Sequence, residues 1–175
     1  MKRKRGYLLL ESVISITSIV IIISLLYYIL IFSNNIKTKI EDSVELQQQG
    51  NEVSKYIKEV IQNSKYIINY NGNNELKSVT SIKCKYKEND NKLKDKEIFL
   101  NKNSNKIFIR TLDVYGNSEG GGYEVGDYID NMYILTDYDG KIVNIKLELS
   151  KNNTNLEKEF TINIINFEGD NKWEL

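Results

Sequence analysis

The chain has 175 residues, 41% hydrophobic and 27% charged, a globular balance that suits one folded domain plus an appendage. Its 24 Lys and Arg match its 24 Asp and Glu, so it lacks the broad basic field that drives non-specific nucleic-acid binding, and nucleic acid is not indicated as a partner. With no His and one Cys, it lacks the common zinc ligand sets, every Ser-His or Cys-His nucleophile pair and an intramolecular disulfide, and it is read as a non-enzyme.

The amino terminus opens with a basic block, Lys2, Arg3, Lys4 and Arg5, and Gly6 follows. Removing residues 1–6 takes four basic residues and no acidic one, leaving 20 against 24 and a mildly acidic remainder. From Ser12 to Ile36 no residue is charged. A helix over that span would be about 38 Å long, more than the roughly 30 Å hydrocarbon core of a bilayer. The basic block on its amino-terminal side predicts a single-pass protein with its amino terminus in the cytoplasm and its body exported. A cleaved secretory signal does not fit, because the apolar run is too long and no small-residue cleavage site ends it. A plain signal anchor, carrying an extracytoplasmic binding or adhesion module that never polymerises, accounts for everything except Glu11. That carboxylate stands at the head of the apolar run, where an unpaired acid costs about 2–3 kcal/mol or more and implies a partner.

Taken together, Lys4-Arg5-Gly6-Tyr7-Leu8-Leu9-Leu10-Glu11 resembles the class III signal of type IV prepilins and pseudopilins: a basic leader, Gly, a hydrophobic first mature residue and Glu fifth after the cut. The resemblance covers about 30 residues. It implies cleavage between Gly6 and Tyr7 by a prepilin peptidase, N-methylation of Tyr7, and pairing of Glu11 with the methylated amine of a neighbouring subunit, which offsets desolvation in a core of bundled helices. It further implies partners: other pilin subunits, the peptidase, an inner-membrane assembly platform, and lipid before assembly. The location is then the cell membrane, and a cell-surface filament after assembly. Motility, protein-secretion and DNA-uptake filaments share this leader. Tyr7, Leu8 and Leu9 replace the usual Phe or Met followed by Thr or Ser, and the absence of proline removes the common helix kink, so a minor pilin or pseudopilin is expected.

Beyond the span, Ile36, Ile40 and Val44, then Val53, Tyr56, Ile57, Val60, Ile61, Ser64, Ile67 and Ile68, recur at helical spacing. Gln47-Gln48-Gln49-Gly50 is expected to loosen the middle, and Asn71-Gly72-Asn73-Asn74 to stop the helix near Asn69 or Tyr70. The expected organisation is therefore a leader over 1–6, a transmembrane or filament-core helix over 7–36, its amphipathic half over 37–70, and an antiparallel β-sheet domain over 71–175. Strands are expected at Val79–Lys87, Glu97–Leu100, Lys106–Leu112, Met132–Tyr138, Lys141–Leu149 and Phe160–Asn166, with a type I′ hairpin turn at Asp139-Gly140. This order is α+β, a long helix packed on an antiparallel sheet, as the pilin resemblance also implies.

Alternation places Ile82, Cys84 and Tyr86 on one strand face, which makes Cys84 a buried structural thiol. No cofactor is expected. The acidic, glycine-rich stretch around Glu119, Glu124, Asp127 and Asp130 is the weak candidate for calcium, although its spacing matches no cation-binding loop. Asp137-Tyr138-Asp139-Gly140 is accounted for by the hairpin turn. Asn152-Asn153-Thr154 has the form of a glycosylation acceptor, of the kind that arises by chance in an Asn-rich chain. Lys85–Lys106 reads as a solvated face or hairpin, and Trp173 as part of a short tail that docks on the sheet or a neighbour.

Overall fold

The computed structural model describes residues 3–68, 75–87, 93–113, 115–137 and 139–168, with the backbone alone at 3–6, 87 and 93. Trp173 and the Asn71–Asn74 stop lie outside the described residues. The chain divides into two compact units, Met1–Glu41 and Asp42–Leu175.

One helix, α1, runs from Arg3 to Gln62. Its part in the second unit buries Leu46, Val53, Ile57, Val60 and Ile61, a stripe at three-, four- and seven-residue spacing. Gly50 lies on the same stripe, and a Cβ there would stand 3.6 Å from Leu156 Cδ2. The glutamines and Gly50 therefore do not loosen the helix: packing against Leu149 and Leu156 offsets the roughly 1 kcal/mol that glycine costs in a helix. The helix ends at Gln62, not near Asn69 or Tyr70. Ser64 N–H and Oγ–H both turn back to the Ile61 carbonyl (3.1 and 2.7 Å), and Lys65 N–H already pairs with the Lys85 carbonyl (2.7 Å). Ile67 and Ile68 satisfy the helical spacing equally well, but pairing with a strand wins.

Nine strands follow among the described residues, in two antiparallel sheets where one was expected. The first sheet contains β1 (Tyr66–Ile68), β3 (Ser81–Lys87), β4 (Leu93–Asn101), β5 (Lys106–Leu112) and β6 (Tyr123–Gly126), in that order. The second contains β2 (Lys77–Val79), β7 (Ile129–Thr136), β8 (Ile142–Lys151) and β9 (Thr154–Asn163). The expected Val79–Lys87 strand divides at Thr80 between the two sheets, and β9 starts earlier than expected because its first half alternates charged with half-buried residues. The expected α+β class holds, with α1 packed on the sheets. One core joins the helix stripe to Ile82, Cys84, Ile98 and Ile109 of the first sheet and Met132, Ile134, Ile145 and Leu147 of the second.

Gly140 N–H donates to the Asp137 carbonyl at 3.0 Å, so the hydrogen-bonded turn between β7 and β8 closes from Asp137 to Gly140 and is not the type I′ turn expected with Asp139-Gly140 as its central pair. The backbone is left-handed at Gly140 (φ 73°), and Tyr138 lies outside the described residues. Asp137 Oδ1 also accepts from Ile142 N–H at 3.1 Å, so the aspartate closes the loop from its own side chain.

Gly126 marks the closest approach of sheet and helix, because a Cβ there would lie 2.0 Å from Val53 Cγ2. Gly126→Ala is expected to destabilise the domain by about 1–3 kcal/mol through overpacking. Adding Val53→Ala should recover part of that loss, as read from denaturant midpoints of the single and double variants.

Candidate membrane and assembly segment

Every residue of α1 from Tyr7 to Ile36 is exposed, although this is the most apolar stretch of the chain. Tyr7 is 72% exposed, Leu30 69% and Ile22 56%, whereas the core of the second unit approaches zero. Leaving one such aliphatic side chain in water forgoes about 1.5–3 kcal/mol of burial energy. Five hydroxyls in the first half of the run are satisfied by the helix itself. Ser12 donates to the Leu9 carbonyl (2.8 Å), Ser15 to Glu11 (2.9 Å), Thr17 and Ser18 to Ile14 (2.9 Å each), and Ser24 to Val20 (2.8 Å). Hydroxyls bonded back onto the helix present no orphaned donor to a hydrocarbon medium. Tyr28 and Phe32, one turn apart, stack with ring centroids 6.5 Å apart.

Glu11 is exposed near the head of this run and, among the described residues, its carboxylate has no ion-pair partner. Fifteen Val, Ile, Leu and Phe residues lie between Ser12 and Ile36. At roughly 0.3–0.6 kcal/mol each for transfer to a bilayer centre, they contribute about 5–9 kcal/mol, which outweighs one carboxylate. One carboxylate therefore does not outweigh the apolar run, and Glu11 has no counter-charge among the described residues. Gly6 and the leader residues Arg3, Lys4 and Arg5 continue the α1 backbone, and Lys2 lies outside the described residues.

In the second unit, the first helical turn is tied by a polar cluster that sequence reasoning missed. Asp42, only 6% exposed, accepts from Asn152 Nδ2 at 2.8 Å and stands 3.5 Å from Lys151 Nζ. Lys151 also reaches Glu45 (2.5 Å) and lies over the Tyr128 ring at 5.2 Å. The Lys151 ion pair, and then Tyr128, hold the Glu45 carboxyl below its ordinary value, and Glu45 in turn raises Lys151. Further along α1, Gln49 Oε1 accepts from Asp127 N–H (3.2 Å) and Asn51 Oδ1 from Lys158 (2.9 Å). The partners are 78 to 110 residues apart in sequence, and no local signal announces them. Asn152 is the formal glycosylation position, yet its amide nitrogen is engaged with Asp42 on a tight turn (φ 51°).

The calcium candidates do not converge. Glu119 pairs with Lys94 (3.0 Å), Glu124 and Asp127 with Lys106 (2.8 and 3.1 Å), and Asp130 accepts from Asn105 (2.9 Å). Among the described residues no group of three or more His, Cys, Asp or Glu side chains is placed to hold a metal ion. Asp113 organises the preceding loop by accepting from the N–H groups of Tyr115 and Asn117, both at 2.8 Å. Those bonds, led by Asn117, hold its carboxyl low. Cys84 is buried, and desolvation, aided by the Asp95 charge, pushes its thiol to about 12. It is a core residue, as its alternation implied.

The described residues thus define a class: an α+β protein with one helix near its amino terminus long and apolar enough to cross a membrane. No protein-family model, curated protein or solved structure matches the chain.

The titrating pairs set a pH window for stability. Glu45 and Glu148 lie below their ordinary 4.5, Glu148 chiefly through the Asn131 amide, so their contribution is complete above 4.5 and is lost as pH falls through the lowered folded values. Lys106, raised by Glu124 and Asp127, and Lys146, raised by Glu157, contribute below their ordinary 10.5 and lose that contribution at higher pH. The denaturant midpoint of the full chain in micelles should be flat between these limits and fall on both sides. Glu148→Gln should partly flatten the acid limb, leaving the share of Glu45, and should soften the alkaline limb slightly, because Glu148 also helps to raise Lys146.

Proposed function

We propose that the chain is a minor pilin or pseudopilin, a structural subunit of a type IV filament system whose amino-terminal helix first resides in the membrane and then packs into a filament core. The observation that carries this reading is Glu11, a carboxylate without an ion-pair partner among the described residues, at the head of an exposed, membrane-length apolar helix. Its position, fifth after Gly6 and behind four basic residues, is supported chemically as well as by resemblance. Cleavage after Gly6 would generate an amine at Tyr7, N-methylation would preserve its positive charge, and that amine is the counter-charge Glu11 lacks.

In this reading the leader charges Lys2, Arg3, Lys4 and Arg5 hold the amino terminus in the cytoplasm while the β-rich unit is exported. The proposed partners are prepilin peptidase, an inner-membrane assembly platform and other pilin subunits, with lipid solvating the helix before assembly. The chain then acts by packing and charge pairing and catalyses no reaction. A membrane-anchored module that never polymerises would need the same apolar helix but not Glu11.

Glu11→Ala separates the two. The variant is expected to insert and accumulate in membranes at the wild-type level, because removing a charge favours insertion, and to fall about ten-fold or more in sheared filaments, consistent with a buried charge left without its partner. Equal recovery of wild type and Glu11→Ala from the filament fraction would overturn the proposal.

A further inference from the structure

Within the second unit, the last turns of α1 meet the first sheet around a cavity of about 140 Å³ that the filament reading does not use. Three tyrosines from three elements line it: Tyr56 of α1, Tyr86 of β3 and Tyr123 of β6. Tyr56 and Tyr123 remain 41% and 56% exposed, although large aromatic side chains on a sheet-and-helix surface usually bury more. The lining also holds groups of opposite sign and one amide, Glu59, Lys96 and Asn63.

The charges select the ligand. Lys96 Nζ lies 4.7 Å from the Tyr86 ring centroid, so the cation-binding face of that ring is already occupied by the protein's own ammonium. A cation is drawn to Glu59 but repelled by Lys96, and an anion the reverse, so the pair favours neither sign. A neutral molecule with many hydroxyls uses both groups as hydrogen-bond partners. It finds apolar ring faces together with a carboxylate that accepts, an ammonium that donates and an amide that does both. Burial, and then the neighbouring Glu59 and Tyr56, push the Tyr123 phenol upward, so it stays protonated at neutral pH and adds a donor.

We infer that this cavity is a saccharide-binding subsite: it takes one pyranose ring, stacked by its C–H face on Tyr123 and Tyr56 and hydrogen-bonded at its hydroxyls by Glu59, Asn63 and Lys96. Its size admits a single sugar unit, so a longer glycan would continue outside it. The subsite is independent of Glu11 and would serve a filament subunit and a simple anchor alike.

The test is saturation-transfer NMR on the full chain in detergent micelles, with glucose, galactose and N-acetylglucosamine as probes at millimolar concentration. At least one should receive saturation at its ring C–H protons. Neither tetramethylammonium nor inorganic phosphate should displace it. Tyr123→Ala and Tyr56→Ala, on different elements, should each weaken binding roughly ten-fold, the scale of one lost aromatic contact. Tyr115→Ala, at an 86% exposed loop position away from the cavity, should leave binding unchanged. Absence of transfer to all three sugars, displacement by either ion, or undiminished transfer in both pocket variants with native circular dichroism would overturn the inference.

Discussion

The constraint on which the rest of the structure depends is that the fold leaves residues 7–36 of α1 wholly uncovered. Burial of apolar surface is the dominant favourable term in folding, and here the most apolar segment takes no part in the core. In the proposed function that energy is realised elsewhere, in lipid and then against other helices. Ser12, Ser15, Thr17, Ser18 and Ser24 bond back onto the helix's own carbonyls, so these hydroxyls present no orphaned donor to an apolar medium. Such a helix suits a subunit that leaves one apolar environment for another, which is what the proposed filament demands.

The second unit solves the complementary problem of holding the rest of the helix in water. Apolar contact is concentrated on Leu46, Val53, Ile57 and Ile61, and a helix held by one stripe would be free to slide. Gly126 removes that freedom at one point by letting the sheet backbone close on Val53. Asp42, Glu45, Lys151 and Asn152 remove it at another, where the helix enters the unit. The pairs around Lys151 are partly exposed, and each contributes little alone. Their role is to fix register where the helix changes from an uncovered to a covered surface, while Asp42, nearly inaccessible, would be costly to leave without Asn152.

Features that depend on local pattern were legible in the sequence. The apolar span needs only composition, and β5 was read with its observed limits because Ile107 and Ile109 alternate cleanly with half-exposed neighbours. Glu11 was legible because a charge in an apolar run stands out without any alignment. Ambiguity appeared where two periods fit the same residues: Ser64, Ile67 and Ile68 continue the helical spacing, yet Ile67 sits opposite Cys84 in a sheet. The division into two sheets was hidden because Val79 and Ser81 read as one alternating run, although they pair with different partners. The Asp42–Asn152 contact was invisible for a different reason, since it joins residues 110 apart and the only motif there, the formal glycosylation acceptor at Asn152, points to different chemistry. The four acidic calcium candidates illustrate the converse: only Glu124 and Asp127 come together, and they do so around Lys106, while Lys94 holds Glu119 and Asn105 holds Asp130.

The most direct measurement is the amino-terminal mass of the protein recovered from membranes of cells with and without prepilin peptidase. Processing in the pilin pathway predicts a terminal peptide beginning at Tyr7 and carrying one additional methyl group when the peptidase is present, and the unprocessed Met1 form when it is absent. A Met1 terminus under both conditions would contradict the pilin assignment and leave a plain membrane anchor.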